Sequence, residues 1–255
     1  MTAKGMLSLL RFDLREAFDS IAWVGYYWLY FAFQFFVYGE ILSKLVVTLH
    51  DYLFYYGSGL LILLSFNVAS WAGRRFVESA HEGRLRYLLS LPLHRNELFL
   101  EQIAQGVIVN LSRVVPPLVI VLLFVGKFSG ASIASSLLVL TLLTVGIIGL
   151  MVSLSVIAFR SFDIYSAIVA SLSALLLRFS TVNYPLVSMN SDIGEVSRGN
   201  PLTYGADLFR FVLGFSPSIL LNPALAATVV LALCVGTMFI GMFFISRVVE
   251  GVKSS

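Results

Sequence analysis

Composition, run length and charge placement together predict an all-α integral membrane protein. The expected architecture is six transmembrane helices preceded by an N-terminal amphipathic helix in the membrane interface. Of 255 residues, 58% are hydrophobic and only 12% charged, whereas soluble domains carry about 25% charged residues. A single water-soluble core of this size cannot bury so much apolar surface, so the natural solvent is lipid. Each crossing needs roughly 20 apolar residues to cover about 30 Å of hydrocarbon. Apolar runs fall at about 21–39, 52–73, 98–125, 132–159, 164–182 and 223–246. The third and fourth exceed the minimum and are expected to tilt or project beyond the bilayer. With both termini in the cytosol, the inside segments carry eleven Lys and Arg against four outside, in keeping with the positive-inside bias.

The first 20 residues form a separate unit. The stretch KGMLSLLRFDLREAFDS (4–20) is too polar to span. Leu7, Leu10, Leu14 and Phe18 make one stripe at helical spacing, with Arg11, Arg15 and Asp19 off it. That pattern suits a helix lying in the interface, with a solvated N-terminal helix as the alternative. The charged, amphipathic start does not read as a cleavable signal peptide. Residues 21–255 are then one six-span transmembrane domain. Its single cysteine, Cys234, excludes a disulfide framework. The net charge of +3 is ordinary for loops facing an anionic leaflet and implies no nucleic-acid partner.

About 40 residues separate the fifth and sixth runs, and they contain GNPLTYGADLFRFVLG (199–214). Asn200 can cap a helix whose first residue is Pro201, where a missing N–H costs nothing. Asp207 and Arg210 fall at i,i+3 and can pair on one face, and Gly214 can terminate the helix. Such a helix reaches about 20 Å, short of a crossing. Its apolar far end predicts a segment that dips into the outer membrane face and returns, or lies flat on that surface. Asn222–Pro223 repeats the Asn-Pro device where the last span starts.

No chemistry of an enzyme is written in the chain. It lacks G-x-x-x-x-G-K-[ST], H-E-x-x-H and a paired-cysteine site, and it has no G-x-S-x-G elbow. His50, His81 and His94 fall in loops on two sides of the membrane, so no shared metal site is expected. The six runs contain no mid-membrane Asp or Glu, which an ion-coupled carrier usually needs unless unwound backbone binds the ion.

The densest polar interruption is RRFVESAHEGRLRYLLSLPLHRNE, residues 74–97. From Arg74 to Tyr87 it is rich in helix formers, Gly83 interrupts it, and Pro92 closes an apolar turn. Asn96 can then cap the helix leading into the third span. The result is a helical hairpin with an apolar knob (Leu85, Leu88, Leu89, Leu91) and a charged rim, and an apolar knob facing cytosol tends to be a docking surface. The pattern E-x-x-x-E-G-x-L-x-x-L-L-S-L-P-L-x-R-x-E, from Glu78 through Glu97, resembles the cytoplasmic segment of ABC-2 type permeases, the membrane subunits of type V ABC exporters. NPLTYGADLFR, Asn200 to Arg210, is similar to the same family's external motif between its last two spans. The order of elements agrees along essentially the whole chain.

That resemblance implies a plasma-membrane exporter subunit with no directly bound cofactor. It implies a separate ATP-binding subunit, two copies per transporter, holding ATP and Mg. A second permease, identical or paralogous, would complete a path between the two. The ATPase-coupling residues would be Arg74, Arg75, Glu78, Glu82, Gly83, Leu85, Leu88, Leu89 and Pro92. By position, Asn200, Pro201, Tyr204, Asp207 and Arg210 would stabilise an external gate.

Arg113 and Arg178 lie inside spans, and the resemblance assigns them nothing. Arg113 is about 18 Å along a helix from Glu101. Pro116 and Pro117 free backbone carbonyls to which it can bond, unless it bonds to a neighbouring helix; the alternative is a role in the substrate path, favouring an anionic cargo. Arg178 is expected to snorkel outward. Three rival functions fit the sequence less well. An importer permease would need E-A-A-x-x-x-G, but ESAHEG (78–83) is a residue short and LSLP follows too closely. A secondary carrier lacks its carboxylates. A membrane scaffold would recruit a cytosolic partner without moving cargo.

Overall fold

A computed structural model describes residues 9–15, 18, 21–45, 52–84, 95–124, 129–158, 161–215 and 221–253. Among them every regular element is helical. Residues 9–15 are helical. Helix α1 (Ile21–Phe33) runs through a π-helical turn (Gln34–Tyr38) into α2 (Gly39–Leu45), and α3 (Tyr52–His81), α4 (Arg95–Phe124) and α5 (Gly130–Ile157) follow. Then come α6 (Phe162–Arg178), α7 (Ser191–Arg198), α8 (Pro201–Val212) and α9 (Pro223–Lys253). Four of these, α3, α4, α5 and α9, are long and apolar enough to cross a membrane. Helix α6 has 17 residues, about 26 Å of rise, and the α1–α2 stretch crosses its π-turn without leaving the helical path.

Small polar residues set the starts. Ser129 accepts the Ser132 N–H at 3.2 Å ahead of α5, and Ser161 accepts that of Ile164 at 3.3 Å ahead of α6. Asn222 accepts from Ala224 N at 2.9 Å ahead of α9, so the second Asn-Pro device does start the last helix. Asn96 lies inside α4 instead of capping it.

Helix α3 is the most enclosed of the long helices and α9 the least. Around α3 stand α4, α5, α6 and α8, with α9 closing the other side of α5. One apolar cluster runs through the centre, including Phe35, Leu61, Phe66, Leu143, Ile148, Met151 and Phe209. Asn110 of α4 crosses it, donating to Thr144 Oγ1 of α5 at 2.7 Å and Ser65 Oγ of α3 at 3.3 Å. The outer faces of α1 and α9 are greasy and open: Trp23, Leu29 and Phe33 on one, Leu225, Phe239 and Phe243 on the other. Aromatic and aliphatic side chains in that number belong against lipid.

Two elements depart from the sequence reading. The segment expected to begin a separate hairpin at Arg74 is the last turns of α3, which runs unbroken to His81. An additional helix, α7, precedes the external one, capped by Asn190 Oδ1 on the Ser191 N–H at 2.7 Å.

Candidate functional site

The two motif regions lie at opposite ends of α3. Near its C-terminal end, Arg74 and Glu78 pair across one turn, Nε to Oε1 at 2.9 Å. The Arg74 guanidinium stands over the Phe162 ring at 4.6 Å, tying α3 to the start of α6. Arg75 stacks on Trp71 at 4.8 Å. The helix ends as Glu82 N donates to Glu78 O at 2.9 Å, and Gly83 turns the chain with φ 77°, a left-handed conformation that a side chain resists. Leu85, Leu88, Leu89 and Pro92 lie outside the described residues, so the apolar knob remains an expectation.

Sequence reading missed what the turn leads to. Immediately after it, Arg84 Nη2 pairs with Asp13 Oδ1 of the N-terminal helix. Asp13 is 2% exposed, and its backbone oxygen accepts from Gln105 Nε2 of α4 at 3.1 Å. Glu101, 1% exposed, lies beside it and accepts from Gln102 Nε2 at 2.8 Å. A small cavity opens here, lined in part by Asp13, Arg75, Ser79, Arg84, Gln102 and Gln105. Leu14 packs on Val68 and Val109, so the expected apolar stripe faces protein at this point. The N-terminal helix, the turn after α3 and the start of α4 therefore meet in one polar joint. The only hint in the sequence was an aspartate next to that stripe.

At the other end, α8 is buried among α3, α5 and α9. Asn200 caps it as expected, Oδ1 accepting from Leu202 N at 2.9 Å. Its Nδ2 donates to the carbonyls of Leu176 at 2.7 Å and Phe179 at 2.6 Å, which fastens the end of α6 to the start of α8. Pro201 occupies the first helical position, and Tyr204 Oη donates to Arg198 O at 2.7 Å.

Asp207 and Arg210 do share a face, at 3.6 Å, with 1% and 0% of their side chains exposed. Arg210 Nε donates to Ser58 Oγ at 2.9 Å, and Nη1 to Thr181 O at 2.6 Å. Nη2 donates to Tyr55 O at 3.1 Å and Val182 O at 2.8 Å. The guanidinium also lies over the Tyr55 ring at 3.4 Å. Asp207 accepts from Thr181 Oγ1 at 3.0 Å and from Leu221 N at 3.2 Å. Burial raises the Asp207 carboxyl above its ordinary range, opposed by Arg210, the Leu221 N–H and the Thr181 hydroxyl. Tyr55 Oη closes the ring by donating to Thr181 O at 2.8 Å.

The chain comes very close here. A Cβ on Gly59 would fall 1.7 Å from Val182 O, so only glycine lets the loop after α6 lie against α3. Tyr55, Ser58 and Thr181 carry no signal in the sequence, because their partner lies far away along the chain. Of the five residues, Asn200, Asp207 and Arg210 thus form a clasp joining α3, α6, α8 and the segment before α9, while Tyr204 ties α8 back to α7 and Pro201 only opens the helix.

Arg113 does not bond the carbonyls expected of Pro116 and Pro117. It sits over Tyr27 at 4.7 Å and Trp71 at 5.0 Å. Helix side chains lean toward the N-terminus while carbonyls point toward the C-terminus, so the carbonyls those prolines free lie behind it. Arg178 is exposed in the last turn of α6. Among the described residues no three His, Cys, Asp or Glu side chains gather around a point one cation could occupy.

Residues 28–214 match the family described as ABC-2 type transporter. The chain belongs to the ABC-2 type transporter family. The match takes in the cytoplasmic segment, the external clasp and every helix between them. No curated protein gives a match. As an ABC-2 membrane domain the chain is a permease component of an ABC transporter, a family whose permeases typically work with an ATP-binding subunit.

Proposed function

We propose that this ABC-2 chain is the permease subunit of an ATP-driven exporter in the plasma membrane. It would cross six times with both termini cytoplasmic, α6 and the α1–α2 stretch supplying the two crossings beyond the four long apolar helices. Two such subunits, identical or paralogous, form the path, and two copies of a separate ATP-binding subunit holding ATP and Mg drive it. Helix α8, too short to cross and enclosed by neighbours, is the re-entrant element at the outer face.

One observation carries the reading: α3 is a single helix of 30 residues joining both motif regions. At one end it supplies the Tyr55 and Ser58 acceptors of Arg210. At the other it carries the first residues of the coupling segment (74–97) and ends at the turn of Gly83. At 1.5 Å per residue it is about 45 Å long, more than the hydrocarbon thickness. A helix enclosed along its length transmits displacement as a rigid body, so a push on the cytoplasmic turn reaches the outer clasp without refolding. The Arg84–Asp13 pair brings the N-terminal helix into the same movement.

The test is to purify the tagged chain from its host with its co-purifying subunits and reconstitute it. The expected result is a P-loop subunit in the complex and substrate-stimulated ATP hydrolysis with outward, ATP-dependent flux. Leu88→Glu with Leu89→Glu should release that subunit and abolish flux while the permease still folds. An intact complex in the double variant, or flux that persists without ATP, would overturn the proposal.

A further inference from the structure

Among the described residues two arginines are buried, and the fold treats them in opposite ways. Arg210 directs its guanidinium at four oxygens in addition to its carboxylate partner. Arg113, only 2% exposed, has no hydrogen-bond partner at Nε or at Nη1. It is held by ring faces, Tyr27 on α1 and Trp71 on α3. Trp71 also carries Arg75, so two guanidinium groups share one ring. Among the described residues no carboxylate lies within ion-pair distance of Arg113: Asp13 pairs with Arg84, and Asp207 with Arg210.

A guanidinium at this depth with open donors is costly unless something answers it. Aromatic faces hold a cation in place but accept no conventional hydrogen bond. What completes the shell is an oxyanion, the group that arginine recognises with charge-assisted bonds. The surroundings say how it is carried. Trp71 lies ten residues before the cytoplasmic end of α3, well inside the span. Helix α1, which supplies Tyr27, presents a broad apolar outer face, with Trp23 57%, Tyr26 52%, Leu29 72% and Phe33 57% exposed. A free inorganic ion gains nothing from such a wall, whereas an amphiphile lays its tail there.

We propose that Arg113, framed by Tyr27 and Trp71, is an intramembrane binding site for the oxyanion headgroup, phosphate or carboxylate, of an amphipathic cargo. This deepens the exporter reading, because it names the class of molecule moved. A guanidinium with open donors is a resident of the cargo-free state, and the arriving anion satisfies it.

The test uses the full chain in dodecyl maltoside and does not need the ATP-binding subunit, so it can fail or succeed independently of the exporter assignment. Trp23→Phe with Trp28→Phe leaves Trp71 as the sole indole. Titration with dodecyl phosphate or with dodecanoate should give a saturable change in Trp71 emission, and dodecylphosphocholine should give none. Arg113→Gln should weaken the response at least about tenfold, the usual scale for losing a charge-assisted pair. Arg113→Met separates binding from structure: with no partner to strand, it should melt at or above the parent temperature.

A response unchanged in Arg113→Gln, or none in the parent, would overturn the site. A lower melting temperature for Arg113→Met would show a structural arginine and overturn it too. An equal response to inorganic phosphate would make this a free-anion site and overturn the amphiphile assignment.

Discussion

Arg210 shows what one side chain can hold together. Its guanidinium reaches Ser58 and Tyr55 on α3 and the carbonyls of Thr181 and Val182 after α6, and it is fully enclosed. Cutting it to alanine strips the buried Asp207 carboxylate of its counter-charge, leaving it only the Thr181 hydroxyl and the Leu221 N–H, and takes the guanidinium away from those acceptors. Arg210→Ala is expected to destabilise the chain by about 3–5 kcal/mol, the scale for stranding a buried charge. Arg210→Lys keeps the charge but gives up the planar fork that serves several carbonyls at once, and is expected to lose about 2 kcal/mol. Thermal unfolding in detergent checks both; a parent-like midpoint for Arg210→Ala would mean that the clasp does not brace the fold. At this scale the sequence was legible only locally. The Asp207–Arg210 spacing and the Asn200–Pro201 start follow from helix geometry within one turn. Tyr55, Ser58 and Thr181 come from distant segments, and no local rule brings them to Arg210. For Arg113 the freed carbonyls lie in the wrong direction along its own helix, and the neighbouring helices hold it instead, through the rings of Tyr27 and Trp71.

Among elements, α3 and α8 show why some boundaries could be read and others not. The apolar run stops near Gly73, but α3 continues to His81 because Arg, Glu and Ala sustain a helix as well as leucine does. The Arg74–Glu78 pair adds to that support. The change in polarity marks where lipid ends, and a helix end needs its own signal, here Gly83. Asn200 supplies the signal for α8 and a second function that its residue type alone did not disclose. Its oxygen caps the helix, while its nitrogen holds the carbonyls of Leu176 and Phe179. Aspartate separates the two, since it caps equally well and cannot donate. Asn200→Ala is expected to destabilise by about 2–4 kcal/mol, combining a lost cap with two stranded carbonyls. Asn200→Asp should lose at least as much, because its carboxylate would face both carbonyl oxygens. If Asn200→Asp unfolds at the parent temperature in detergent, capping is the whole of its role and the tie to α6 is unimportant.

For the whole molecule, the greasy exterior of α1 and α9 and the enclosed polar joints at either end of α3 describe a body that belongs in a bilayer. A helix about 45 Å long leaves its ends on opposite sides of about 30 Å of hydrocarbon. Glu82, just past the C-terminal end of α3, and Asp192, on α7 beside the Arg210 clasp, are both exposed. They are therefore suited to reporting orientation. With Cys234 replaced by serine, Glu82→Cys and Asp192→Cys each provide one reactive thiol. A membrane-impermeant maleimide added to intact cells should label Asp192→Cys fully and leave Glu82→Cys unmodified until the membrane is opened. Inverted vesicles should give the reverse. This expectation follows from the positive charges of the 74–86 stretch, since Lys and Arg favour the cytoplasmic side of a membrane. Labelling of both thiols from one side would place the two ends of α3 in one compartment. No tilt of a helix this long could reconcile that with a spanning α3, and the route by which a cytoplasmic push reaches the Arg210 clasp would be lost.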